Sequence, residues 1–260
     1  MFYKKFQIYK KRWKVYIAIL AMSELDIIIP IYKEGKNIRL LLDQFQKILK
    51  IKYQVIICYD FDEESGLKFL PTNREKIILV KNKGFGPNQA IKSGLSYSKN
   101  NIVVVYMSDD FENINLLNKM FSLINDGYDL IIPSRYVKNG EFINAKFYKK
   151  MITNFGSFLM YFICGIPYRD CTNAFKMFNK KILKNITLES KVGFTFALEL
   201  TIKTHFNNFR IIEIPCTWKE LPNRKSNFKV FRWLPYYTYW VFYSLFYRFK
   251  KSFKLINKQK

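Results

Sequence analysis

Two adjacent acids, Asp109 and Asp110, follow a run of β-branched residues, Ile102–Val105, and sit one step past Ser108. Carboxylates gathered at the end of a buried strand repel each other unless a cation or a helix start offsets them. A divalent cation shared with a diphosphate does this well, because Mg characteristically takes one or two carboxylates and completes its shell with phosphate oxygens. An acidic cap on a following helix does it equally well. Further acids, Glu34, Asp60 and Asp62, stand after the first two apolar runs of the chain. The segment Lys81–Gly86 (KNKGFG) with Asn88 is a glycine-bearing loop that suits either a phosphate or ribose contact, or simply a tight turn. Arg135 follows a fifth apolar run, and Arg169–Asp170 lies in a polar turn. A guanidinium there suits a phosphate, with an Arg–Asp ion pair as the structural alternative.

The elements that must hold these residues are readable from the apolar pattern. Residues 25–32, 54–58, 76–80, 102–107 and 129–133 read as buried strands, and 36–50, 87–99 and 113–126 as helices between them. Strands apolar on both faces, alternating with helices, predict a mostly parallel sheet covered by helices. Such sheets bind ligands beyond the carboxyl ends of their strands, where the polar residues above cluster. The second half predicts a helix over 146–164, a polar turn over 165–178 running into AFKMF, a helix over 192–207 and a strand over 210–215. The reading divides the chain into a basic aromatic arm over 1–22, a catalytic domain over 23–229 and an aromatic, basic tail over 230–260.

Composition narrows the function. The 260 residues carry 44 Lys plus Arg against 20 Asp plus Glu, a net charge of +24. That charge attracts nucleic acid, anionic headgroups or phosphorylated substrates, although the abundance of Lys, Ile and Asn also fits a coding bias. Acids ordered at successive strand ends argue against a nucleic-acid binder. The four cysteines form no metal-spaced pairs and read as buried thiols, and the single His205 reads as structural. No run is long enough to span a bilayer. Residues Trp233–Tyr247 carry no charge and are dense in Tyr, Trp and Phe, with Arg232, Arg248, Lys250 and Lys251 at the flanks; this composition suits a membrane interface.

The order and spacing of IIIPIYKEGKNI, VIICYDFDEESG, NKGFGPNQAIKSGL, VVVYMSDDFE, PSRYVKNGEF, RDCTNAFKMFNKKIL, GFTFALELTIKTH and IIEIPCTWKE resemble family 2 glycosyltransferases of the GT-A fold. The SRY, RDCTNAFKMF and GFTFALEL segments resemble the polyprenyl-phosphate branch, similar to dolichol-phosphate mannose synthase. The resemblance implies an α/β GT-A (Rossmann-like) domain with a C-terminal aromatic amphipathic helical tail. It implies nucleotide-sugar contacts from Pro30, Tyr32, Glu34, Asp60, Gly84, Asn88 and Ser108. It further implies Mg or Mn on Asp110, helped by Asp109, and an acceptor phosphate met by Arg135 with Lys149 nearby; Asp170 would orient one of these groups or act as a base. The expected reaction is an inverting transfer from a UDP- or GDP-sugar to polyprenyl phosphate, on the cytoplasmic face of the membrane. The alternatives are a sugar-hydroxyl acceptor in surface polysaccharide synthesis, a non-catalytic nucleic-acid-binding protein, and a degenerate glycosyltransferase that binds without reacting. Ser108 stands where the family's first metal acid usually is, Tyr59 replaces a common Asp, and the loop after Trp218 departs from the relatives' pattern.

Overall fold

The computed structural model describes residues 24–145, 147–220 and 230–256. The expected arm over 1–22 and the basic loop over 223–229 lie outside the described residues. Five strands alternate with helices as the apolar pattern requires. They are β1 (Leu25–Ile31), β2 (Tyr53–Tyr59), β3 (Ile77–Lys81), β4 (Ile102–Val105) and β5 (Leu130–Ser134). The helices between them are α1 (Asn37–Ile48), α2 (Gly86–Tyr97) and α3 (Ile114–Asn125). With β7 (Lys176–Asn179) and β8 (Ile211–Pro215) they build a seven-stranded sheet ordered β3-β2-β1-β4-β7-β5-β8.

The sheet is mostly parallel, with β7 inserted antiparallel between β4 and β5. Side chains alternate across each strand, so every strand feeds two cores. Ile27, Ile29, Val55, Ile57 and Val104 meet Ile38, Leu41 and Phe45 of α1 and Leu117 and Met120 of α3. On the opposite face Ile28, Ile56, Val103, Val105 and Ile132 meet Ala90 and Ile91 of α2 and Phe196 and Leu200 of α5 (Thr195–Phe206). Positions 195–204 of α5 are all buried, the expected state of a helix enclosed on every side. Gly94 lets α2 lie directly on the sheet: a Cβ there would stand 2.6 Å from Ile28 Cγ2 and 2.8 Å from Cys58 Sγ.

Two features depart from the sequence reading. A small parallel sheet pairs β6 (Glu141–Ile143) with β9 (Thr217–Lys219); strands of three residues are too short to leave a pattern. The helix expected over 146–164 is instead α4 (Phe147–Phe158) followed by a π-helical turn, Leu159–Ile163. Past β9, α6 (Val230–Ile256) docks Trp240 and Ser244 inward, where Trp240 joins Met160, Cys164, Ile166, Leu198 and Ile202 in a third core. Its outer face exposes Tyr236, Tyr239, Phe242, Phe246 and Phe249. On α4 and the turn after it, Phe147, Met151, Phe155, Phe158 and Phe162 form a second exposed stripe at helical spacing. The two elements meet where Arg248 Nη1 donates to the Phe162 carbonyl at 3.3 Å and Cys164 Sγ approaches the Val241 carbonyl at 3.7 Å. Among the described residues no helix is long and apolar enough to cross a membrane. All four cysteines are buried and unbridged, as expected.

Candidate active site

The polar residues of interest stand at the carboxyl ends of β1, β2, β3, β4 and β5, as parallel topology demands. Pro30, near the end of β1, is half-buried; after the strand Tyr32 is exposed and Glu34 is buried. The turn reverses through Lys33 and Gly35, both at positive φ. Glu64 holds it: Oε2 accepts from Lys33 N at 2.7 Å and Oε1 from Glu34 N at 3.1 Å. Glu64 did not stand out in the sequence; its signal was a position in an acid-rich stretch, which reads as solvated surface.

After β2, Asp60 braces the glycine loop. Its Oδ2 accepts from Gly86 N at 3.0 Å and its Oδ1 from Asn82 Nδ2 at 2.7 Å, while Asn82 Oδ1 accepts from Gly84 N at 3.1 Å. Gly86 has φ +81°, a conformation that favours glycine, and Pro87 then opens α2 with its N-terminus at the site. Asn88 is buried and faces inward to Ser190, so it ties α2 to the segment leading into α5.

After β4, Ser108 and Asp110 are buried and Asp109 is half-buried. Asn113 grips Asp110: its backbone N donates to Oδ1 at 3.1 Å and its amide Nδ2 stands 2.9 Å from both oxygens. Burial raises the Asp110 carboxyl to about 6, even though the Asn113 hydrogen bonds favour the ionised form. Asp110 thus shapes the turn into α3 and presents a buried carboxylate. Asn113 was missed, although its place three residues after Asp110 and just before a helix was a capping signal. Asp109, Asp110, Phe111, Glu112, Trp218 and Lys219 line a cleft of about 30 Å³. A larger cavity of about 460 Å³ includes Tyr53 and Ile77, which begin β2 and β3, and so lies at the other end of the strands.

After β5, Arg135 packs its guanidinium 4.9 Å from the Phe142 ring centroid and forks onto Asp170. Nε donates to Oδ2 at 2.8 Å and Nη2 to Oδ1 at 2.7 Å, and the Arg135 backbone N adds a third bond to Oδ2 at 3.0 Å. Burial opposes the guanidinium charge, but the Asp170 carboxylate outweighs it and holds the pKa above its ordinary value. Asp170 is fully buried and both its oxygens are taken by Arg135, the orienting arrangement that is one of its two expected roles. The Asp170 turn is itself held by Glu213 of β8, whose Oε1 accepts from Arg169 N at 2.8 Å and Asp170 N at 2.9 Å. The side chain of Lys149 lies outside those described.

One corner joins the acid side to the arginine side. Cys216 N donates to Ser134 O at 3.0 Å, next to Arg135. The adjoining Thr217 exchanges two bonds with Asn113, N to Oδ1 at 3.2 Å and O from Nδ2 at 2.7 Å. The buried carboxylate and the oriented guanidinium are thus clamped by neighbouring residues of one β8–β9 bend.

Comparison with known proteins agrees with this arrangement. A dolichol-phosphate mannosyltransferase from Pyrococcus furiosus is 24% identical over 202 residues, covering 75% of this chain and 56% of that protein. A polyprenol monophosphomannose synthase from Mycolicibacterium smegmatis is 22% identical, covering 75% of this chain and 77% of that protein. The chain thus spans only about half the length of the Pyrococcus protein. Glucosyl-3-phosphoglycerate synthase from Mycobacterium tuberculosis, solved with Mn2+, uridine diphosphate and glucosyl-3-phosphoglycerate, superposes with a TM-score of 0.62 at 13% identity, over 88% of this chain and 80% of that one. That likeness identifies the sheet as a GT-A fold. The profile described as Glycosyl transferase family 2 matches residues 26–187, more than half of the chain, and the protein belongs to that family.

Proposed function

We propose that this glycosyltransferase moves a hexose from a UDP- or GDP-sugar to a polyprenyl phosphate, with inversion, on the cytoplasmic face of a membrane. The observation that carries the reading is the single β8–β9 bend, which clamps Asn113 beside Asp110 and Ser134 beside Arg135. It provides a cation-binding edge and an anion-binding edge across one site.

The donor side consists of Pro30, Tyr32 and Glu34 after β1, the Asp60-braced loop with Gly84, and the N-terminus of α2, whose backbone suits a diphosphate. Asp110 and Asp109 fit Mg or Mn. Among the described residues no cluster of three or more acids, His or Cys stands ready to hold a metal, so two carboxylates would share the ion with the donor's phosphates. When bound, the ion offsets charge on the departing diphosphate. A buried carboxyl whose pKa is already raised gains most from such a partner. On the acceptor side Asp170 occupies Nε and Nη2 of Arg135, leaving the rest of the fork for a phosphate. A lipid phosphate is already an anion and needs no base, which agrees with the full commitment of Asp170. Arg135 would hold it for attack on the anomeric carbon from the face opposite the diphosphate.

The lipid choice is supported by the exposed aromatic stripes of α4 and α6, with Arg232, Arg248 and Lys250 exposed along α6. Tyr and Phe on adjoining elements, beside cations, suit the headgroup boundary of an anionic bilayer. Sedimentation with anionic vesicles should therefore carry the protein down, and the pair Phe242→Ser with Phe246→Ser should weaken this at least ~5-fold; a wild-type protein that stays in the supernatant contradicts the membrane reading.

Nucleotide release from a panel of UDP- and GDP-sugars with Mg or Mn should require added polyprenyl phosphate, and Asp110→Asn should reduce it on the order of 100-fold. Release without the lipid would retain the transferase and discard this acceptor. Metal binding needs ionised Asp110, so activity should fall as pH drops through about 6. Asn113→Ala removes hydrogen bonds that favour the ionised form, so the same fall should begin at higher pH; an unchanged pH profile in that variant would detach Asp110 from metal binding.

A further inference from the structure

Lys176 opens β7 in the middle of the sheet with no exposed surface. An unpaired lysine so placed is strongly disfavoured, and this one has company. Its Nζ donates to the backbone carbonyl of Asp170 at 3.3 Å. The charged and titratable groups around it are Asp170 and Cys171 from the turn before β7, Glu213 from β8, Arg135 after β5 and Cys216 after β8. Two carboxylates, one guanidinium and this amine therefore share one interior. With Lys176 protonated, the two positive charges balance Asp170 and Glu213. With it neutral, the group carries a net negative charge beside the arginine.

The Asp170 turn is pinned from two directions. Glu213 accepts the backbone N–H groups of Arg169 and Asp170, and Lys176 takes the carbonyl of Asp170 from below. The Asp170 carboxylate in turn fixes three donors of Arg135. We propose that Lys176 is a positioning residue of the acceptor site, holding the Asp170 turn and balancing its charge so that Arg135 stays aimed at an incoming phosphate. This rests on the acceptor reading above.

Burial lowers the Lys176 amine to about 8, with the Asp170 and Glu213 carboxylates supporting its charge and Arg135 opposing it. Anion binding at Arg135 should therefore weaken as pH rises through about 8. Arginine at this position would not titrate there.

The test is calorimetric binding of farnesyl phosphate to the protein saturated with uridine diphosphate and Mn, from pH 7 to 9, where the probe's phosphate is already about 90% or more dianionic and its own titration could only strengthen binding as pH rises. Circular dichroism melts and the affinity for uridine diphosphate report whether each variant is folded with an intact donor side. Arg135→Met is the reference and should weaken farnesyl phosphate by at least ~10-fold. Lys176→Met should weaken it about 10-fold with uridine diphosphate affinity unchanged. Lys176→Arg should bind within about twofold of the native protein at pH 7 and lose the alkaline decline. If Arg135→Met binds normally, the acceptor reading fails and this proposal falls with it. If Arg135→Met is weakened while a folded Lys176→Met is not, the proposal alone is wrong. It is also overturned if Lys176→Arg keeps the native alkaline decline. Should Lys176→Met fail to fold, the Lys176→Arg pH series decides.

Discussion

A buried ion pair, Arg135 with Asp170, constrains the second half of the molecule. Removing two charges from water is costly, and the cost is offset only where geometry is good and remaining lone pairs are satisfied. Here the fork of Arg135 and its backbone N–H take the Asp170 oxygens, while Glu213 takes the N–H of the same turn. Meeting these demands requires β5, the turn before β7 and β8 to come together at one end of the sheet. The insertion of β7 between β4 and β5 places Asp170 there. A guanidinium fixed in this way keeps its direction, which free surface arginines lack.

The first half is organised by backbone, not by charge. Parallel strands point all their carboxyl ends one way, so Tyr32, Asp60, Gly84 and Asp110 share one rim although far apart in sequence. The individual carboxylates are then spent on loops: Glu64 on the β1 turn, Asp60 on the glycine loop, Asp110 on the turn into α3. Several acids that resemble ligands are therefore supports that hold backbone N–H groups in position. This use accounts for acids gathering at strand ends in so basic a protein.

The strands β1 to β5 and the helices between them were legible because each buries a pattern of sufficient length, and boundaries differ by only a residue or two. The rim residues followed from topology. What escaped had long-range causes. Nothing local to Asp170 reveals that Arg135, 35 residues away, will occupy both its oxygens. Asn88 lies in a loop-like motif, yet its burial depends on Ser190 and Thr195, about a hundred residues on. The β6–β9 pair is too short to show alternation. Lys176 and Glu213 were visible as charges interrupting apolar strands, the one local sign that a buried polar cluster needed them. The aromatic tail and the helix expected over 146–164 both expose an aromatic stripe.

In the proposed function, sugar donor and acceptor phosphate meet between Asp110 and Arg135. A crystal structure with Mn, the preferred nucleotide-sugar and a short-chain polyprenyl phosphate tests it directly. The account predicts the metal on Asp110 with the diphosphate, the lipid phosphate within hydrogen-bond distance of the Arg135 guanidinium, and the anomeric carbon between them. A lipid phosphate bound away from Arg135, or a diphosphate that avoids the Asp110 edge, would contradict it.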